Sequence, residues 1–346
     1  MAEWAVRELR IPDSVDDDDA ADFIANIDII NLVQAEASGH SEFDFTAAEM
    51  LPMWRNPASP RTLFGVHVDG QLVGRAMYAR LASDTVTCWV SIGVLPAFRG
   101  RGIGTALAER LEAAARGEGR SKLITYVLST VADGAERIEA PTGFGSVPAG
   151  NTEVRFLVGR GYRLEQVGRR SRMPLPASVT VTPPDHYRLH FWVDRTPERW
   201  LEQMANLHTR MSTDAPSAGL EAPEDVWTVE RVLEEDEAAA SDPRPYLVAV
   251  VEHIPTGELA GYTTLAVPVE TDRPVSQFDT LVLREHRGKG LGMLLKVANI
   301  DNLQRRYPGR PSIITSNAED NRFMLDVNEA VGFTPIGYDG AWRKDL

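Results

Sequence analysis

The sequence predicts an α/β protein of two tandem domains, and three observations carry that reading. The segment Val94 to Gly104 (VLPAFRGRGIG) returns 188 residues later as Val282 to Gly292 (VLREHRGKGLG). A hairpin signature upstream, Asp69 to Gly74 (DGQLVG), returns as Thr256 to Gly261 (TGELAG) at an offset of 187. Each copy then closes on a helix ending in Gly and an aromatic, Gly161 and Tyr162 in the first and Gly332 and Phe333 in the second. Self-similarity at a fixed offset marks a duplicated unit, and 346 residues suffice for two domains with full cores.

Each copy reads in the same order. A helical leading third covers residues 19–38 and 47–54 in the first copy, and 197–209 and 223–240 in the second. A β-hairpin follows, its Gly-containing turn set between apolar runs. Residues 85–95 and 278–283, rich in β-branched and apolar side chains, read as the next strand. The Gly-rich turn then opens helices over 102–116 and 290–305, where Ile103, Leu107 and Leu111, and Leu291 and Leu295, recur on one face. A further strand and the Gly-aromatic helix complete the copy. The last offset falls to 171, so the first copy carries about 17 additional residues, placed at 130–150 and read as an inserted loop from their Gly, Pro and Ala content. The four prolines of residues 173–185 read as the linker, giving domains at 1–176 and 181–346.

Composition excludes several function classes. With 36 basic and 50 acidic residues the net charge is −14, which repels phosphate backbones and anionic lipid, so neither nucleic acid nor membrane is an expected partner. The N-terminus lacks a signal-peptide pattern and no apolar run is long enough to span a bilayer. A lone cysteine, Cys88, forms no internal disulfide, no Cys/His pattern has zinc spacing, and a cytoplasmic monomer or homodimer without metal is the expectation.

The chemistry concentrates in the Gly-rich turns. At a strand-to-helix junction, residues without Cβ let consecutive N–H groups approach an anion, and the helix N-terminus adds partial positive charge. That is a pyrophosphate cradle. The Lys-Ser/Thr ending of a nucleotide phosphate loop is absent, and the spacing is not the dinucleotide fingerprint. Arg99-Gly-Arg-Gly-Ile-Gly104 and Arg287-Gly-Lys-Gly-Leu-Gly292 instead resemble the acyl-CoA motif of the GNAT N-acetyltransferase superfamily, and the resemblance covers both halves.

The resemblance implies, for each copy, a central, mostly antiparallel mixed sheet flanked by helices that splays around acetyl-CoA. It assigns the pyrophosphate to the backbone of Arg99, Gly100, Arg101, Gly102, Ile103 and Gly104, and of Arg287, Gly288, Lys289, Gly290, Leu291 and Gly292, with Arg101 and Lys289 as flanking cations. Val94, Val282 and Leu283 fall where the family's splayed strand polarises the thioester carbonyl. The tandem build is similar to that of mycothiol synthases and of small-molecule and antibiotic acetyltransferases.

The copies differ where the family places its acid. The last helix usually begins with Asn and carries Tyr seven residues later; the second copy keeps Asn321 but has Asn328, and the first has Gly150 and Leu157. A thiolate leaves tolerably with a thiol pKa of about 8.5, so a dedicated acid is dispensable. Tyr338 is a remote substitute. The Glu that some relatives use as base is replaced by Cys88 and Ser276. On the second central strand the one carboxylate is Asp279, beside Thr280, read equally as a substrate-site base or as a satisfied structural group. Asp214, in a polar loop, is read as an ammonium contact or a turn residue. These readings predict an acetyl-CoA-dependent N-acetyltransferase acting in the second copy on a small-molecule primary amine by direct attack in a ternary complex. A CoA-binding regulator without activity and a protein-lysine acetyltransferase are the alternatives.

Overall fold

In the computed structural model, which describes residues 4–129, 136–214, 217–221 and 224–346, the first unit opens with strand β1 (Val6–Leu9) and helices α1 (Ala21–Ser38) and α2 (Ala47–Trp54). Thr46 and Glu49 form a reciprocal capping box that starts α2 at the expected residue. The hairpin β2 (Arg61–Val68) and β3 (Gln71–Ala79) turns at Asp69 and Gly70, both at positive φ. Strand β4 (Thr87–Val94) then leads through the Gly-rich turn into α3 (Ile103–Gly117), followed by β5 (Lys122–Ser129), the short pair β6 (Arg137–Glu139) and β7 (Ser146–Pro148), α4 (Thr152–Gly159) and the long β8 (Arg163–Pro174).

The second unit repeats the order: β9 (Tyr187–Val193), α5 (Leu201–Asp214), α6 (Val229–Ser241), β10 (Tyr246–His253), β11 (Glu258–Ala266), β12 (Val275–Val282), α7 (Leu291–Arg306), β13 (Ser312–Ala318), α8 (Arg322–Val331) and β14 (Thr334–Asp345). In the first unit the strand order is β1-β2-β3-β4-β5-β14, and in the second β8-β13-β12-β11-β10-β9. All these pairings are antiparallel except β4 with β5 and β12 with β13. The mostly antiparallel α/β fold is as expected.

Three features differ from the expectation. The inserted segment is not all loop, because β6 and β7 pair as a small antiparallel ladder; residues 130–135 lie outside the described residues. Both leading strands, β1 and β9, are additions to the reading. The division of the chain also differs from 1–176 and 181–346: the first unit runs to Val167 and takes in Gly337–Leu346 and the segment around Leu220, and the second begins at Gly168. The reason lies in strand pairing. The end of β14 pairs with β5, and the end of β8 pairs with β13, so the last strand of each repeat completes the other repeat's sheet. The proline-rich linker follows β8 and marks no unit boundary. Leu220, buried at 3%, sits with Ile124 and Ala341, while Lys122 and Arg343 bind Glu221 at 3.2 and 2.8 Å.

Each sheet is covered on two faces. In the second unit, Trp200, Met204 and Leu207 bury Tyr262 and Leu281 on one face, and Leu291, Leu294 and Leu295 of α7 bury Ala260 and Val282 on the other. Helix α7 also buries Lys296, 1% exposed, with Nζ 5.7 Å from the Phe333 ring centroid. Burial pushes its pKa down to about 7 from 10.5. Between those values the unfolded chain holds the proton and the native chain has released it, so stability rises with pH in that window. Urea titrations from pH 7 to 10 should show that rise, by up to about 1.4 kcal/mol per pH unit from this group, and Lys296→Met should flatten it.

Candidate active site

The parallel pairs stop early. In the first unit β4 meets β5 only from Thr87↔Lys122 to Trp89↔Ile124, and in the second β12 meets β13 only at Val275↔Ile313 and Ser276↔Ile314. Beyond these points the strands part. Val282 lies opposite Gly261, and its successor Leu283 donates its N–H to Ala260 at 2.9 Å. Antiparallel neighbours alternate between bonded and non-bonded pairs, so the N–H and C=O of Val282 turn into the opening. Val94 does the same, because Leu95 donates to Val73 at 2.9 Å. Of the residues expected at this element, Val94 and Val282 are thus free to donate, whereas Leu283 has spent its N–H on β11.

The Gly-rich turns follow directly. Gly100, Gly102, Gly288 and Gly290 all have φ between 73° and 83°, the left-handed region in which glycine is unstrained. Neither α3 nor α7 has a side-chain cap, so their first N–H groups remain available to an anion. A Cβ at Gly292 would lie 3.9 Å from Val282 Cγ2, beside the opening. Ile103 and Leu291 point into the cores, at 1% and 2% exposure, and can offer only backbone. Lys289, exposed, donates to the Tyr187 hydroxyl at 2.9 Å, and Tyr187 bonds His286 Nδ1 at 2.8 Å. Arg101 donates to Ala97 O at 2.9 Å and lies over Phe98.

The motif arginines do other work. Arg99 Nε bonds Val94 O at 3.0 Å while its fork grips Glu36 of α1, and Arg287 Nε bonds Val282 O at 3.0 Å while Nη2 reaches Asp214 of α5 at 2.7 Å. Each ties the strand end to the last turn of the leading helix. Asp214 is accordingly not an ammonium contact: its side chain is 1% exposed and is enclosed by Arg287, Arg284 at 3.1 Å and Arg210 at 3.7 Å. Three guanidiniums already neutralise it.

Thr280 is also turned away from an acceptor. It is buried and bonds Thr263 at 2.7 Å, with the Gln277 amide donating to Thr263 at 2.9 Å, on the face covered by α7. Asn321 caps α8, accepting from Met324 N at 3.3 Å. Asn328 is 1% exposed and donates to Asn317 at 2.6 Å, so it is a buried polar bridge between α8 and β13 and carries no transferable proton. Tyr338 belongs to the first unit, paired opposite Ser129.

Asp279 occupies the α5 face of β12 beside a bulge and is exposed to solvent. The protein mass around it nevertheless desolvates the carboxylate and raises its pKa above the usual value, opposed by a hydrogen bond from Tyr262 at 3.2 Å. Tyr262 is 1% exposed and also contacts His208 Nδ1 at 3.3 Å. His208 stacks on Trp227, centroids 4.3 Å apart, and burial, aided by Arg231, pushes its pKa down to about 4. A neutral imidazole carries one N–H. With the single phenol proton given to Asp279, His208 Nδ1–H donates to the Tyr262 oxygen. Trp227 is fixed in turn by Asp225 at 3.1 Å and by Arg231 over its ring at 4.1 Å. Tyr262 and His208 escaped the sequence reading; the cue was Tyr262 following the hairpin glycine in a strand that pairs with the Asp279 strand.

Among the described residues there is no group of three or more His, Cys, Asp or Glu suited to a metal, and no helix long and apolar enough to cross a membrane. Residues 27–138 match the model of the acetyltransferase (GNAT) family. The mycothiol acetyltransferase of Thermobispora bispora is 28% identical over 257 residues, 72% of this chain and 74% of that protein. That of Geodermatophilus obscurus is 25% identical, with 86% of each covered. Among solved structures, a tandem GNAT protein from the clavulanic acid biosynthesis pathway superposes with a TM-score of 0.74 at 24% identity, over 99% of this chain and 98% of that one. A GCN5-related N-acetyltransferase from Sphaerobacter thermophilus gives 0.66 at 18% identity, covering 99% and 95%.

Proposed function

We propose that the chain is an acyltransferase built of two tandem GNAT-like units and that its second unit transfers the acetyl group of acetyl-CoA to the primary amine of a small molecule. The observation that carries this is a strand end that turns the Val282 N–H into the opening, together with Asp279, a carboxylate held by Tyr262 on the α5 face of the same strand. Acetyl-CoA would supply an activated thioester, held by the uncapped start of α7 and the backbone from Arg287 to Gly292. Likeness to mycothiol acetyltransferases favours a small polar amine as acceptor.

The chain's own groups then divide the work. The Val282 N–H is directed at the charge that develops on the acyl oxygen, the kind of fixed dipole that dominates acyl transfer. Asp279 attracts the acceptor ammonium and takes a proton from it, and its raised pKa makes it the stronger base. Tyr262, locked by neutral His208, orients the carboxylate. The amine nitrogen bonds to the acyl carbon as the carbon–sulfur bond breaks, the second proton of the former ammonium passes to solvent, and the thiolate leaves without a dedicated acid, since Asn328 cannot donate a proton. Cys88 offers no covalent route: it is fully buried in the first unit, and burial pushes its thiol up to about 12.

Thiol release from acetyl-CoA across a panel of small amines, amino sugars and peptides tests the reading; amine-dependent release confined to small acceptors is expected, and none at all would overturn it. The first unit, lacking an equivalent of Asp279, should bind without turning over. Substituting Gly102 and Gly104 together should therefore lower CoA stoichiometry toward one per chain by calorimetry and leave turnover nearly intact.

A further inference from the structure

We propose that the first unit holds a small carboxylate between Arg75 and Asn26, in the cluster that corresponds to Asp279, Tyr262 and His208 of the second unit. Arg75 follows the hairpin glycine Gly74 as Tyr262 follows Gly261, and Ser91 stands three residues before Val94 as Asp279 stands before Val282. Asn26 reaches this point from α1 as His208 does from α5. A carboxylate, a phenol and an imidazole are thus replaced by a hydroxyl, a guanidinium and a carboxamide. The sign of the site is inverted.

Arg75 donates from Nε to Asn26 Oδ1 at 2.7 Å and from Nη1 to Ser91 Oγ at 2.5 Å. Both partners are neutral. Its Nη2 and the Nδ2 of Asn26 are buried without an acceptor, in residues only 2% and 0% exposed. Buried donors nearly always find acceptors, and a buried cation without a counter-ion is costly. Burial with no compensating charge pushes the guanidinium pKa down to about 9.

The geometry selects the anion. Nε–H and one Nη2–H lie along one edge of the guanidinium fork, and the carboxamide that accepts at Nε leaves its own NH₂, like Nη2, without an acceptor. Two donors then stand where an aspartate would have presented acceptors, and the two oxygens of a carboxylate satisfy both. Ser91, the partner of Arg75 on β4, is partly exposed and lies beyond the last β4–β5 pair at Trp89.

Thermal unfolding of the full chain, with no acyl donor present, tests the site with acetate as probe and chloride at equal ionic strength as control. Acetate should raise Tm saturably, by about 2–4 °C beyond chloride. Asn26→Asp builds the missing carboxylate into the chain, so it should raise Tm without acetate and abolish the response; Arg75→Met should abolish the response as well. No saturable excess of acetate over chloride, or an undiminished excess in Asn26→Asp, would overturn the site. The readout is heat stability and not turnover, so this outcome is separate from the fate of the acyl-transfer reading.

Discussion

Asp279→Asn is expected to lower kcat/KM for the amine by about 10²–10⁴-fold, the range for losing a positioned general base. The substitution keeps the size and a hydrogen-bonding oxygen for Tyr262, so the bulge in β12 and the packing of Leu281 should persist. Acetyl-CoA affinity should hardly move, because Gly288 to Gly292 follow the end of β12, away from Asp279 in the chain, and use backbone. Steady-state kinetics with donor and acceptor varied separately make the distinction. Tyr262→Phe should cost less, since it removes the orienting bond and leaves the carboxylate. If Asp279 also attracts the ammonium, acceptor KM should rise with salt in the native enzyme and lose that dependence in the Asn variant. A normal turnover with a lowered Tm would instead assign Asp279 a structural role alone.

The Gly-rich turn of the second unit should give a similarly large effect by two separable routes. At Gly290, φ is 73° and a Cβ would meet nothing within 4 Å, so the objection to a side chain is conformational. Gly290→Val should strain the turn by about 1–2 kcal/mol, misdirect the first N–H groups of α7, and weaken acetyl-CoA by about 100-fold, with turnover falling accordingly. Gly292 has ordinary helical backbone, and its Cβ would stand 3.9 Å from Val282. Gly292→Val should therefore leave the fold intact and obstruct the donor path, raising the KM for acetyl-CoA at little cost in Tm. Calorimetry with acetyl-CoA and a melting curve for each variant separate strain from obstruction; full affinity in both would remove the turn from the donor site.

What the sequence determined by itself were the features encoded locally and twice. The Gly-rich turns, the hairpin turns and the apolar faces of α3 and α7 each follow from neighbouring residues, so their elements were legible and recurred in both copies. The exchange of β8 and β14 was not, because a strand's alternation names its faces and not its neighbour. The fate of charged side chains was equally hidden. Asp214 reads as a loop acid until the fold brings Arg210, Arg284 and Arg287 around it, and Asn328 reads as a weakened acid until Asn317 meets it. Arg75 and Asn26, 49 residues apart, form a site only because α1 lies across β3. Tyr262 and His208, 54 residues apart, join Asp279 for the same reason in the second unit. Backbone conformation is set within a few residues, whereas desolvation and ion pairing depend on what folding carries to the same point, and that the tertiary structure alone decides.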